Sequence, residues 1–347
     1  MIAALAMLLL SLWFGPTQSV TTPGAMTGDG SAVMKRAMST DGANHGREDY
    51  AQVTATDSVS SVVNHPAFEG FGQHILPGGA RNVDRGMLLN AIDALLPYHG
   101  HIDPGTTIRV INYMIGEVNA GRTIFYDFYT DEQKRRDPTK EATGLFFLRG
   151  EPNAPFAVVC PGGGFSYVGS IHEGFPYALE LSLKGYNAFV LQYRVGAELR
   201  ATEDLAAALS YIFDNSEKLE VSAGDYSLWG SSAGARMAAK VGSRGTEAFG
   251  GDPLPGPCAV VMAYTGHTAY SRTDPPTFVV LSADDGIVNV PTVDRRVQAM
   301  REAGIDVEYR KYRYAGHGFG LGTGTDAQGW LEHAVRFWKL HMSTSGR

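Results

Sequence analysis

The chain has 347 residues, 44% of them hydrophobic and 19% charged, enough apolar content to bury the core of one large domain or two small ones. A net charge of −7 and a pI of about 5.8 argue against a nucleic-acid partner, and Lys134-Arg135-Arg136 is too short a basic run to change that. Two cysteines, Cys160 and Cys258, stand in no Cys-x-x-Cys or Cys/His spacing, so a structural zinc site is not expected.

Ile2 to Phe14 is almost wholly apolar. It is short for a bilayer span and suits the apolar centre of a secretory signal peptide, placed here within residues 1–19. That reading predicts export to the cell envelope or beyond, with no stable membrane span after processing. No Lys or Arg precedes the run and no Ala-x-Ala site follows it, so a short membrane-surface anchor is the competing reading, or a cytoplasmic protein if the run is no signal. Residues 20–64 are rich in Thr, Ser, Gly, Ala and Asp without an apolar period, and read as a flexible linker.

Ordered structure is expected from near Phe68. Residues 65–143 read as a mainly helical extension that packs on the main domain. Met87, Leu88, Ala91, Ile92, Leu95 and Leu96 give a helical period over 84–96; Val110, Ile111, Met114 and Ile115 give another over 106–118. Residues 122–129 are β-like and rich in aromatics, and 131–140 read as polar loop.

From 144 to 342 strand-like and helix-like runs alternate. Strands are expected at 156–160, 187–193, 225–230, 259–263, 277–281 and 307–312, with helices at 174–184, 203–213, 292–303 and 327–341. Alternation of this kind predicts a mostly parallel sheet with helices on both faces, and ligands bound beyond the carboxyl ends of its strands. Cys160 ends a strand and Cys258 starts one, so the two thiols should lie at opposite edges of the sheet, too far apart to bridge.

Four features fall just after strands. Gly230-Ser231-Ser232-Ala233-Gly234 holds the pattern Gly-x-Ser-x-Gly between a strand and a helix, the setting of a nucleophile elbow. Ser232 is the candidate nucleophile; Ser231 in that role loses the glycine spacing. The amide of Ala233 opens a helix, where free N–H groups favour developing negative charge. Pro161-Gly162-Gly163-Gly164-Phe165 leaves backbone amides uncovered, so Gly163 and Gly164 join Ala233 as candidate oxyanion donors; no phosphate-loop spacing follows. Asp284-Asp285 sits after a buried strand, and either carboxylate can orient an imidazole; Asp285 is preferred because Val288 places it in a strand-end turn. His317, between Gly316 and Gly318, comes last, completing the order Ser, Asp, His. His99, His101, His172 and His267 do not follow a late strand in that order; His172-Glu173-Gly174, after the glycine loop, is placed to shape the pocket or hold that loop. Phe165, Tyr167, His172 and Tyr264 are candidates to line the substrate pocket, although aromatics near strands are more often core.

With these residues in place, the chain from Pro155 to His341 resembles the α/β-hydrolase fold, and more narrowly the bacterial acetyl-esterase and acetylxylan-esterase-like proteins related to the hormone-sensitive-lipase group. The shared features are Pro-Gly-Gly-Gly-Phe ahead of His172-Glu173-Gly174, Gln192-Tyr193-Arg194, the Gly-x-Ser-x-Gly elbow and His317-Gly318-Phe319-Gly320. Pro161 stands where many relatives carry His, and Ala235-Arg236 replaces the more usual Gly-His. The resemblance implies Ser232 as nucleophile, Asp285 as orienting acid, His317 as base, and an oxyanion hole at Gly163, Gly164 and Ala233. It further implies hydrolysis of short acyl esters, acetyl groups on polysaccharides among them, without metal or organic cofactor. Two other readings share the fold: a prolyl-oligopeptidase-type peptidase, for which no propeller repeat appears, and a non-catalytic binding protein, which has no need of all three side chains.

Overall fold

In the computed structural model the described residues are 49–77, 83–96 and 102–343. The apolar run at Ile2–Phe14, the start of the expected linker, and His99 and His101 lie outside them. Eight strands form one sheet: β1 Phe125–Tyr126, β2 Gly144–Leu148, β3 Pro155–Cys160, β4 Asn187–Gln192, β5 Ser222–Ser231, β6 Ala259–Ala263, β7 Thr277–Ser282 and β8 Val307–Tyr312. Their spatial order is β1-β2-β4-β3-β5-β6-β7-β8. β2 runs antiparallel to β1 and β4, and every pairing from β4 to β8 is parallel.

Side-chain alternation along these strands feeds two cores. Phe146, Leu148, Ala157, Val159 and Val190 point to one face, where the helices Pro104–Asn119, Phe175–Leu183 and Trp330–Leu340 cover them. Leu145, Phe147, Phe156, Val158 and Leu191 point to the other, beneath Glu198–Asp214 and Ala233–Arg244. The helix Val290–Glu302 covers Val279 and Leu281 on that second face. Such wholly buried strands read as continuous apolar runs because neither face meets water. The thiols of Cys160 and Cys258 are free, one at the carboxyl end of β3 and the other just before β6.

The amino-terminal part departs from expectation. Residues 49–64, read as linker, are packed: Val53, Val59 and Val62 are buried, and Ser58 caps a short helix at Val59–Val63. Apolar periodicity misses this stretch because side-chain amides order it. Asn112 brackets the backbone of Val53 with bonds of 2.8 and 2.9 Å, and Asn119 does the same for Tyr50 at 2.8 and 3.0 Å. Over 84–96 the helical period yields only a 3-10 helix at Leu89–Ala94. The polar stretch 131–140 is not loop throughout: Thr130 and Gln133 form a capping box that starts a helix at Asp131–Arg136. β2, a run of five buried residues flanked by Thr143 and Arg149, was not anticipated; no helix separates it from β3, so it falls outside the strand–helix alternation.

Candidate active site

β5 ends at Ser231 and the helix Ala233–Arg244 begins two residues later, so the whole reversal falls on Ser232. Its backbone takes φ 49° and ψ −112°, a conformation that costs an L-residue about 1–3 kcal/mol. The turn is possible because its flanks lack side chains. A Cβ at Gly230 would lie 2.5 Å from the Ala235 nitrogen, and one at Gly234 would lie 2.0 Å from the Cys160 carbonyl oxygen. The Ser232 amide donates to the Ala263 carbonyl at 2.8 Å, which fixes the turn to the end of β6.

The structure brings His317 and Asp285 to this serine. His317 Nε2 lies 3.0 Å from Ser232 Oγ, and His317 Nδ1 lies 2.8 and 3.1 Å from the two Asp285 oxygens. Asp285 Oδ1 also accepts the amides of Ile287 and Val288, each at 2.8 Å. These bonds hold the carboxylate against Nδ1 and select the tautomer with the proton on Nδ1, leaving Nε2 free to accept from the serine. The neighbouring acid does something else. Asp284 accepts the Gly316 amide at 2.9 Å, the Ala315 amide at 3.3 Å and the Ser282 hydroxyl, so it braces the loop that carries His317. The Ser282 hydroxyl, with those amides, holds the Asp284 carboxyl below its usual range.

Two of the four expected pocket residues are buried behind the His317 loop. His172 is 3% exposed, and its Nε2 donates to the Gly318 carbonyl at 2.6 Å. Tyr264 is fully buried, packs edge-on against the His317 ring at 5.2 Å, and bonds the Tyr177 hydroxyl at 2.9 Å. His172 was expected in the pocket as a residue just past the glycine loop and Tyr264 as an aromatic at a strand end; the close packing of the glycine-rich His317 loop takes up their surface. Phe165 and Tyr167 remain half-buried, with Phe165 beneath the Arg236 guanidinium at 6.0 Å. His267 lies among Arg296, Arg236, Glu198 and Lys240; burial, then the nearby cations, push its pKa down to about 4.

The glycine loop is held from below. The Gly162 amide donates to the buried Glu173 carboxylate at 2.6 Å, and Tyr193, from the Gln-Tyr-Arg motif, donates to the Pro161 carbonyl at 2.8 Å. A Cβ on Gly162 would stand 3.1 Å from Ser232 Cβ, so the loop passes directly beside the serine. Among the described residues, the amides of Gly163, Gly164 and Ala233 donate to no protein acceptor. Of the two tasks the sequence offers His172-Glu173-Gly174, shaping the pocket or holding the glycine loop, Glu173 performs the second, on an amide eleven residues earlier.

Comparison with known proteins agrees with this architecture. Residues 149–255 match the BD-FAE family model. The solved structure of MGS-M1, an α/β hydrolase from a Medee basin deep-sea metagenome library, superposes with a TM-score of 0.50 at 26% identity, over 57% of this chain and 92% of that one. An acetyl ester-xyloside bifunctional hydrolase from Caldicellulosiruptor lactoaceticus gives 0.51 at 22% identity, over 57% and 88%. The chain has the α/β-hydrolase fold. An acetylxylan esterase of Xylanibacter ruminicola is 24% identical in a 216-position alignment that covers 53% of this α/β-hydrolase chain and 45% of that protein. The chain therefore spans less than half the length of this relative.

Proposed function

We propose that the protein is a serine carboxylesterase. The observation that carries this reading is the continuous hydrogen-bond path from Ser232 through His317 to Asp285, at 3.0 and 2.8 Å. In this reading His317 takes the Ser232 proton as Oγ attacks the ester carbonyl, and Asp285 stabilises the imidazolium that forms. The amides of Gly163, Gly164 and Ala233 receive the tetrahedral oxyanion. Collapse expels the alcohol with the proton from His317, leaving an acyl-serine. Water, deprotonated by the same histidine, releases the acid and restores the hydroxyl.

Short acyl esters are the proposed substrates, with acetyl groups on polysaccharides the favoured class. Support comes from the acetylxylan esterase and the acetyl ester-xyloside hydrolase among the similar proteins. Export, also proposed, is supported by the apolar run at Ile2–Phe14; a native protein that retains Met1 in the cytosol would defeat it. The activity is tested with p-nitrophenyl acetate, and a series of longer p-nitrophenyl esters ranks the acyl chain. Wild type should hydrolyse the acetate and Ser232→Ala, still folded, should not.

A further inference from the structure

Past β6 the chain runs through Tyr264 and Thr265 to His267 and Ala269. The loop leaves directly from the reacting centre, since Ala263 accepts the Ser232 amide and Tyr264 packs on His317. Facing it from the helix Val290–Glu302 is Arg296, 5% exposed. Arg296 Nε donates to the Ala269 carbonyl at 3.1 Å. Among the described residues no carboxylate pairs with Arg296, and its two terminal amino groups meet no protein acceptor, yet they are not sealed from solvent. Asp274 attracts the guanidinium only from a distance and accepts the Ser271 amide at 3.0 Å instead. Thr265, also 5% exposed, has a buried hydroxyl without a partner.

The surrounding charge favours an anion. Burial pushes the Arg296 pKa down to about 10, a sign that the cation is held where water solvates it poorly. Arg236 stands four residues after Ser232, roughly 6 Å along the same helix. It shares the single Glu198 carboxylate with Lys240, at 2.5 Å each, so that acid is already neutralised. A buried guanidinium with free donors is costly unless an anion meets it, and its planar fork matches a carboxylate.

We propose that Arg296 and Thr265 form a carboxylate-binding subsite beside Ser232, and that the preferred esters carry a carboxylate near the reacting bond. Arg296 grips the two carboxylate oxygens and Thr265 donates its hydroxyl to one of them. The inference rests on the esterase reading for its catalytic consequence, but not for the binding itself.

The test compares 4-acetoxybenzoate with its neutral methyl ester on the full chain. The expected kcat/KM is at least tenfold higher for the anion, although the methyl ester has the better leaving group. Arg296→Met should lower that anion-to-neutral ratio at least tenfold, and Thr265→Val severalfold. Calorimetry with 4-hydroxybenzoate on the Ser232→Ala protein should show binding that Arg296→Met abolishes. Equal rates on the two esters, or a ratio that survives Arg296→Met, overturns the subsite and leaves the esterase reading standing. Binding of 4-hydroxybenzoate with hydrolysis of neither ester does the reverse. Should Arg296→Met fail to fold, Thr265→Val decides: an unchanged ratio and unchanged binding overturn the proposal.

Discussion

His317 Nε2 and Ser232 Oγ, 85 residues apart in sequence, stand 3.0 Å apart. The proton of one hydroxyl therefore has a single short route. Ser232→Ala should lower kcat/KM for p-nitrophenyl acetate at least about a thousandfold while the melting temperature stays near that of wild type. Substantial residual turnover in the purified variant would mean that another group performs the attack.

The paired acids should separate cleanly. Asp285→Asn removes the charge opposite Nδ1 and favours the wrong tautomer, so kcat should fall by roughly a thousandfold or more. Asp284→Asn only loosens the brace on Ala315 and Gly316, and its loss should stay within about tenfold, with a lower melting temperature. Asp284→Asn proving the more damaging to kcat would reverse the assignment.

Glu173 should act through the loop it holds. Glu173→Ala leaves the Gly162 amide buried without its acceptor, a loss of about 1–3 kcal/mol, and lets the glycine loop drift from Ser232. The expected signature is a kcat lowered by roughly ten- to a hundredfold with KM little changed, and partial rescue by Glu173→Gln, which keeps an acceptor oxygen. Equal and unimpaired kcat in both variants would remove Glu173 from any such role.

Gly234 has no room for a methyl group. Gly234→Ala would press Cβ into the Cys160 carbonyl, and stability should fall by about 3 kcal/mol as the elbow shifts. Denaturant unfolding measures this; a midpoint equal to wild type would show that the helix start can retreat.

His267 should make the fold acid-sensitive. Its folded-state pKa of about 4 lies below the ordinary 6.5, so between those values the unfolded chain binds the extra proton. The stability tied to neutral His267 is complete above roughly pH 6.5 and drains away as the pH drops towards 4. Allowing for solvent screening, it amounts to on the order of 2 kcal/mol. His267→Gln should flatten the dependence of melting temperature on pH across that window. Parallel curves for the two proteins would contradict the half-buried, neutral ring.

Much of this molecule was legible in its residues. Most strands from 155 onward are continuous apolar runs bounded by turns and alternating with helix-like runs, so their positions agree closely with the sheet. Ser232, Asp285 and His317 announced themselves because each sits just after a strand, next to glycine or in a turn. Other features leave no local trace. The segment at 49–53 is ordered by Asn112 and Asn119 from a helix more than fifty residues away. Tyr264, at a strand end, and His172, past the glycine loop, looked like pocket walls because the sequence does not say that the later His317 loop covers them. Arg296 reads as one of many surface cations in an amphipathic helix, and only the folded chain shows it inside.

The edge strand β1 has a further bearing on how this protein can be handled. Phe125 and Tyr126 cap β2, and the Phe125 ring lies so close over Gly144 that a Cβ there would stand 2.1 Å from it. A fragment trimmed to begin at Gly144 keeps Ser232, Asp285 and His317 but bares an apolar ribbon, Gly-Leu-Phe-Phe-Leu, with its backbone donors and acceptors unspent. Such ribbons recruit strands from other molecules. β1 thus serves as a bumper against self-association, and minimal versions of the protein should precipitate before they lose any chemistry of that site.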